Sequence, residues 1–175
     1  SYILFQHQNK KYNIPEIKKL LIKAYESIID EMNIENFELR ILSILSKQLK
    51  KQYVLKIKKK QLSFENMILN DNYFISHFDI WLLCYLLDCP VVLYSNENYK
   101  NMQLQVNYII TGGNLEMDDY LFIKLENNKS INTYMDSFSI IEPKVNGKKL
   151  IEKKMKKINM KDYLRNYRLN LQIKS

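Results

Sequence analysis

Tyr73-Phe-Ile-Ser-His-Phe-Asp-Ile-Trp-Leu-Leu-Cys-Tyr-Leu-Leu-Asp-Cys-Pro-Val-Val-Leu-Tyr-Ser95 is the densest apolar block of the chain, and it reads as a capped helix, a proline stop and a buried strand. Ser76 suits an N-cap, and Asp79 three residues on completes a Ser-x-x-Asp variant of the capping box, so the helix is expected to begin near His77. Pro90 pushes Cys89 out of the α region and should end the helix close to Asp88. Val91 to Tyr94 is short and apolar throughout, the pattern of a strand covered on both faces. This block is the expected middle of the core.

Upstream, Ile17, Leu20, Leu21, Ala24 and Ile28 fall on one helical face, with Pro15 in the first turn, which predicts a helix over 14–32. Phe37, Ile41, Ile44 and Leu45 start a second helix to about residue 51, with Leu49 continuing its apolar stripe. The next five residues, 53–57, fit either its last turn or a short edge strand. Ser63 is the expected cap of a brief helix through Leu69, ending at the Asn70-Asp71-Asn72 turn.

Downstream, Leu104, Val106, Tyr108 and Ile110 alternate with their neighbours as a strand does, Gly112-Gly113-Asn114 supplies a turn, and 120–125 is a further strand. Residues 130–141 read as irregular or weakly extended. Lysine-rich helices are expected over 148–158 and about 161–169, neither with a wide apolar stripe. The expectation is an α+β domain over 1–141, with N-terminal helices packed on a small central sheet, and a basic helical extension over 142–175 packed on or beside it.

With 175 residues the chain can bury a full core without a metal or disulfide staple. Its two cysteines, Cys84 and Cys89, lie in and just after the central helix, where thiols usually fill space, and an intracellular, reducing setting is expected, the cytoplasm of a host cell or a virion. No apolar run approaches the roughly 20 residues that cross a bilayer, so no membrane association is expected. The three glycines, Gly112, Gly113 and Gly147, exclude Gly-rich phosphate loops, and no cofactor or metal site is expected. Asp118 and Asp119 read as a solvated pair. The net charge of +8 comes largely from two lysine clusters, Lys47 to Lys60 and Lys144 to Lys161. Without interleaved aromatics these read as solvated faces, with a basic nucleic-acid or protein-docking adaptor as an alternative.

The consecutive helices, then Asp79-Ile-Trp-Leu-Leu-Cys-Tyr-Leu-Leu87, Pro90-Val-Val-Leu-Tyr94, Tyr108-Ile-Ile-Thr-Gly-Gly-Asn114 and Asp119-Tyr-Leu-Phe-Ile-Lys124, together resemble the OTU (ovarian tumour) family of cysteine proteases over roughly residues 14–125. The chain looks most like the divergent OTU-like segments embedded in long proteins of large DNA viruses. The resemblance implies a deubiquitinase fold in which a Cys nucleophile, from an Asp-Gly-x-Cys motif before the first helix, is served by the His of a His-Tyr pair. Here residues 1–13 hold neither Cys nor Gly, and Asp119-Tyr120 stands in the His-Tyr position. A carboxylate with a pKa near 4 is a poor base for a thiol. The expected function is therefore a catalytically degenerate, OTU-like protein-binding or structural module of a larger viral-type protein. Ubiquitin, a ubiquitin-like protein or the rest of the larger polypeptide would then bind over Tyr94, Asn114, Asp119 and Tyr120. The alternative from the enzyme class is an active deubiquitinase or polyprotein-processing protease whose nucleophile lies upstream of Ser1, with His7 or His77 as base. Trp81 is expected as a core anchor, Cys84 as a buried hydrophobe, and His77 as a surface or capping-region residue.

Overall fold

The computed structural model describes residues 2–116, 118–126, 137–144, 146–147, 151 and 155–169, and over these the chain is an α+β protein. α1 (Tyr2–Gln8) precedes α2 (Ile14–Glu31), which Asn13 opens with a capping box: its Oδ1 accepts from Glu16 N–H at 2.9 Å while Glu16 Oε2 accepts from Asn13 N–H at 2.9 Å. α3 (Phe37–Leu45) and α4 (Lys51–Lys58) follow, and α5 (Phe64–Leu69) is capped by Ser63, whose Oγ accepts from Asn66 N–H at 3.0 Å. α6 (His77–Leu86) is the central helix, with Asp79 Oδ2 accepting from Ser76 N–H at 2.8 Å.

Its far end closes as a Schellman turn, Cys89 N–H to Cys84 O at 2.9 Å and Asp88 N–H to Tyr85 O at 3.3 Å, with Asp88 in the left-handed region at φ 52°. Aspartate tolerates that conformation better than most residues. Pro90 then hands the chain to the sheet.

The strands β1 (Val91–Ser95), β2 (Tyr108–Thr111), β3 (Leu121–Glu126) and β4 (Ser137–Ile140) lie in the order β2-β1-β3-β4. β1 runs antiparallel to β2, in register Val91 with Thr111, and parallel to β3, in register Val91 with Leu121. Because β1 is central, both its faces are covered, as its unbroken apolar run requires. Val91 and Leu93 face the main core with α2, α3 and α6, while Val92 joins Ile110, Phe122 and Ile151 on the opposite face.

Trp81 is 1% exposed, 4.8 Å ring to ring from Tyr163 of α7 (Met160–Asn166). Met160, Tyr163, Leu164 and Tyr167 are all buried, so the last described segment completes the main core. Their i, i+3, i+4, i+7 spacing is an apolar stripe that the lysine-rich composition obscures. The helix expected over 148–158 falls largely outside the described residues, and 155–159 is not helical.

Other expectations are corrected. Of the two readings of 53–57 the helical one holds, within α4, whereas of 104–111 only Tyr108–Thr111 is strand, since the 3-10 turn Lys100–Met102 and its following loop lead into it. The expected second helix breaks at a wide turn over Ser46–Lys50, where Leu49 sits at φ 65° and is 60% exposed instead of continuing the stripe. The break turns Gln48 and Lys50 inward together. Gln48 Oε1 accepts from Phe78 N–H at 3.2 Å, in the first turn of α6.

Candidate functional site

Asn114, Asp119 and Tyr120, three of the residues that the OTU resemblance singles out, lie in the loop over 112–120, where β1 and β3 begin. Gly112 and Gly113 have φ of 64° and 62°, and a Cβ at Gly112 would lie 2.1 Å from the Cys89 carbonyl oxygen, so the loop crosses the end of α6 in direct backbone contact. Three side chains pin it. Asp88 Oδ1 accepts from Gly113 N–H at 2.8 Å, Tyr120 Oη donates to Gly112 O at 2.7 Å, and Lys157 Nζ donates to Gly112 O and Gly113 O at 2.8 and 2.9 Å. Within the loop, Asp118 Oδ2 accepts from Asn114 N–H at 2.6 Å and Asn114 Oδ1 from Glu116 N–H at 2.9 Å.

Asn114 and Asp119 are exposed on this frame and Tyr120 is half-buried. Burial, and then the charges of Asp118 and Asp88, push the Tyr120 phenol up. Tyr94 is elsewhere. It lies beside Tyr108 and Lys124, three residues further along β1, roughly 10 Å from the loop at the usual rise of a strand. The four expected binding residues are therefore not one patch, because β1 carries Tyr94 away from the end where the loop turns.

His7, on α1, does reach the loop. Its ring donates to the Pro90 carbonyl and feels the charge of Asp118; desolvation outweighs both and holds the imidazole below its ordinary pKa, and its Nε2 is buried without a hydrogen-bond partner. His77 is at the other end of the sheet, beside Tyr99 at 5.5 Å and Phe138 at 6.2 Å between ring centroids. It is buried rather than superficial, and desolvation lowers it to about 4. A polar recess of about 500 Å³ lies beside it, lined by Ser95, Glu97, Asn98 and Lys100.

Burial raises both thiols, Cys84 strongly and Cys89 with help from Asp88, so each is held as the neutral, poorly nucleophilic S–H. Among the described residues no group of His, Cys, Asp and Glu is arranged to hold a metal ion, and no helix is long and apolar enough to cross a membrane.

The N-terminal end of α6 carries a polar cluster that the sequence reading missed. Lys50 and Asp79 are fully buried and ion-paired; Lys50 Nζ also donates to Tyr73 Oη at 2.7 Å and Ser76 Oγ at 2.9 Å, and Tyr25 Oη donates to Asp79 Oδ1 at 2.6 Å. Desolvation, with the Asp79 charge, raises both tyrosines well above the usual phenol range. Lys50 thus leaves the solvated face expected for the first lysine cluster, whose Lys51, Lys56, Lys58, Lys59 and Lys60 are exposed. In the second cluster Lys157 pins the loop and Lys161 pairs with Glu31 at 2.8 Å, while Lys148, Lys149, Lys153 and Lys154 lie outside the described residues. Asp88, Lys157 and Lys50 carried one usable signal: Asp88 stands just before a Cys-Pro helix stop, where a left-handed residue is expected.

Comparison with protein-family models, with curated proteins and with solved structures finds no match to this chain.

Proposed function

We propose that this chain is a catalytically degenerate, OTU-like module that binds a protein partner through the loop over 112–120, as part of a larger protein. The observation that carries this reading is the pinned loop. Asp88, Tyr120 and Lys157 hold its two glycines from three sides, while Asn114 and Asp119 stand exposed on top. A loop ordered before contact loses little conformational entropy on binding. In the position of the family's base, an exposed carboxylate and a tyrosine bound to a carbonyl present acceptors and a fixed ring to a partner. The two thiols, kept protonated by burial, suit packing.

Ubiquitin or a ubiquitin-like protein is the first partner to test. Titration of the 15N-labelled chain with ubiquitin should shift amides of 112–120, and Asp119→Lys should weaken the complex at least tenfold. Shifts elsewhere, or none, would sink the reading.

The position of His7 favours a second reading, an active protease whose nucleophile lies upstream of Ser1. His7 stands at the same strand end as Asp119-Tyr120, with Nε2 unpaired and Asp118 near. A ubiquitin probe with a thiol-reactive C-terminus should then label an N-terminally extended chain, and His7→Gln should abolish labelling. An unlabelled extended chain rules this second reading out.

A further inference from the structure

β4 is the outer strand on one side of the sheet. Ile141 N–H donates to Phe122 O at 3.0 Å, which makes residues 141 and 122 a hydrogen-bonded pair. Antiparallel ladders alternate, so Ser139 with Lys124 is hydrogen-bonded, whereas Phe138 with Leu125 and Ile140 with Ile123 are not. The backbone amides and carbonyls of Phe138 and Ile140 therefore point away from β3, and no group among the described residues meets them. Natural edge strands are commonly guarded by lysine, proline or a bulge, and Phe138-Ser139-Ile140 has none of these.

Beside this edge lies an apolar cleft of about 320 Å³. Phe138 and Ile140, 40% and 50% exposed, form one wall, and Tyr2, Ile17, Ile75 and Leu83 are among the residues opposite.

We propose, building on the protein-binding reading above, that β4 takes an extended segment of a partner protein as an added strand, with apolar side chains at alternate positions in the cleft. The backbone chooses the conformation. Donors and acceptors repeating at every second residue are matched by an extended chain, whereas a helix has its amides already paired. Phe138 and Ile140, two residues apart on β4, stand about 7 Å from one another, the repeat of one face of a strand, so a strand paired to β4 brings its alternate side chains to the cleft at the same spacing. Charge sets the occupant apart from a second copy: α1 beside the cleft has no acidic residue and is followed by Lys10 and Lys11, β4 is bracketed in sequence by Asp136 and Glu142, and the chain as a whole carries a net charge of +8. That net charge repels a second copy of this chain.

The test is selection of a displayed random dodecapeptide library on the full chain. The expected winners alternate apolar and polar residues, protect the Phe138 and Ile140 amides from hydrogen exchange, and lose at least tenfold in affinity on Ile140→Pro. That substitution removes an outward N–H and leaves the β3 ladder intact. Phe138→Glu is the second variant, expected to cause a similar loss by placing a charge in the apolar wall of the cleft should the proline perturb the fold. Peptides with helical i, i+4 spacing, affinity unchanged in both variants, no enrichment, or sedimentation showing the edge occupied by a second copy would each overturn the proposal. Winners that map to residues 112–120 would overturn this edge site and leave the loop reading standing. Failure of both the selection and the ubiquitin titration would remove the two together.

Discussion

The two ends of α6 are both anchored by polar groups, and they differ in what surrounds those groups. At the N-terminal end Lys50 and Asp79 are ion-paired in a core that excludes water, with Tyr25, Tyr73 and Ser76 filling the remaining hydrogen-bond positions. At the C-terminal end Asp88 holds a loop on which Asn114 and Asp119 are exposed. Buried charges are stable only while every partner stays in place, so the first end is specialised for rigidity. The second keeps its backbone bonds internal and leaves Asn114 and Asp119 exposed, as the proposed binding surface requires. One helix thus couples a rigid foot to a presenting loop.

The sharpest way to break this contrast is Asp79→Ala. It strands the Lys50 ammonium and two phenols in the core and should cost about 3–5 kcal/mol, read as a lower urea midpoint. Adding Lys50→Met should recover part of the loss, because the uncompensated charge goes with it.

Acid should act on the same half of the molecule. His77 is held neutral with its pKa lowered to about 4, whereas an unfolded chain takes up that proton near 6.5. Its contribution is complete above about 6.5 and is lost as pH falls toward 4, up to about 3 kcal/mol, since the unfolded state binds the extra proton. Urea midpoints across that window should fall in the native chain and flatten in His77→Phe.

At the presenting end, Gly112→Ala places a methyl against the Cys89 backbone at a positive φ. It should cost about 1–3 kcal/mol and move the loop amides, including those of Gly113 and Asn114, in a 15N spectrum. An unmoved loop would mean that the contact is not what orders it. The smallest effect has the opposite sign. Leu49 is left-handed and exposed, so Leu49→Gly relieves backbone strain of about 1–2 kcal/mol against the added entropy of glycine, for a net gain of about 0.5–1 kcal/mol in thermal or urea stability.

The helix starts at Ser63 and Ser76 were legible in the sequence because a cap is a contact within three or four residues. The strand at Val91 was legible because a proline and an apolar run mark it locally. The site was legible in part: the Gly112-Gly113 turn and the exposed Asp119 were expected, but the pinning Lys157 sits 45 residues beyond Gly112 and resembles any other lysine in a basic tail. Tyr94 was misplaced because a strand of five residues separates its ends in space while a linear motif keeps them adjacent.

By itself, then, the sequence determined the α+β class, the central helix with its capping box and proline stop, and a core built around Trp81. Each of these follows from short-range chemistry or from periodicity. Only the tertiary structure decided that Lys50 is buried against Asp79, that His7 rather than His77 stands at the loop, and that α7 closes the core. It alone decided that β4 is the outer strand beside an apolar cleft, with no hydrogen-bond partner for its outward amides among the described residues. These depend on which distant segments meet and on how much water their meeting excludes, and burial changes what a lysine, a histidine or a backbone amide can do without changing the letter that encodes it.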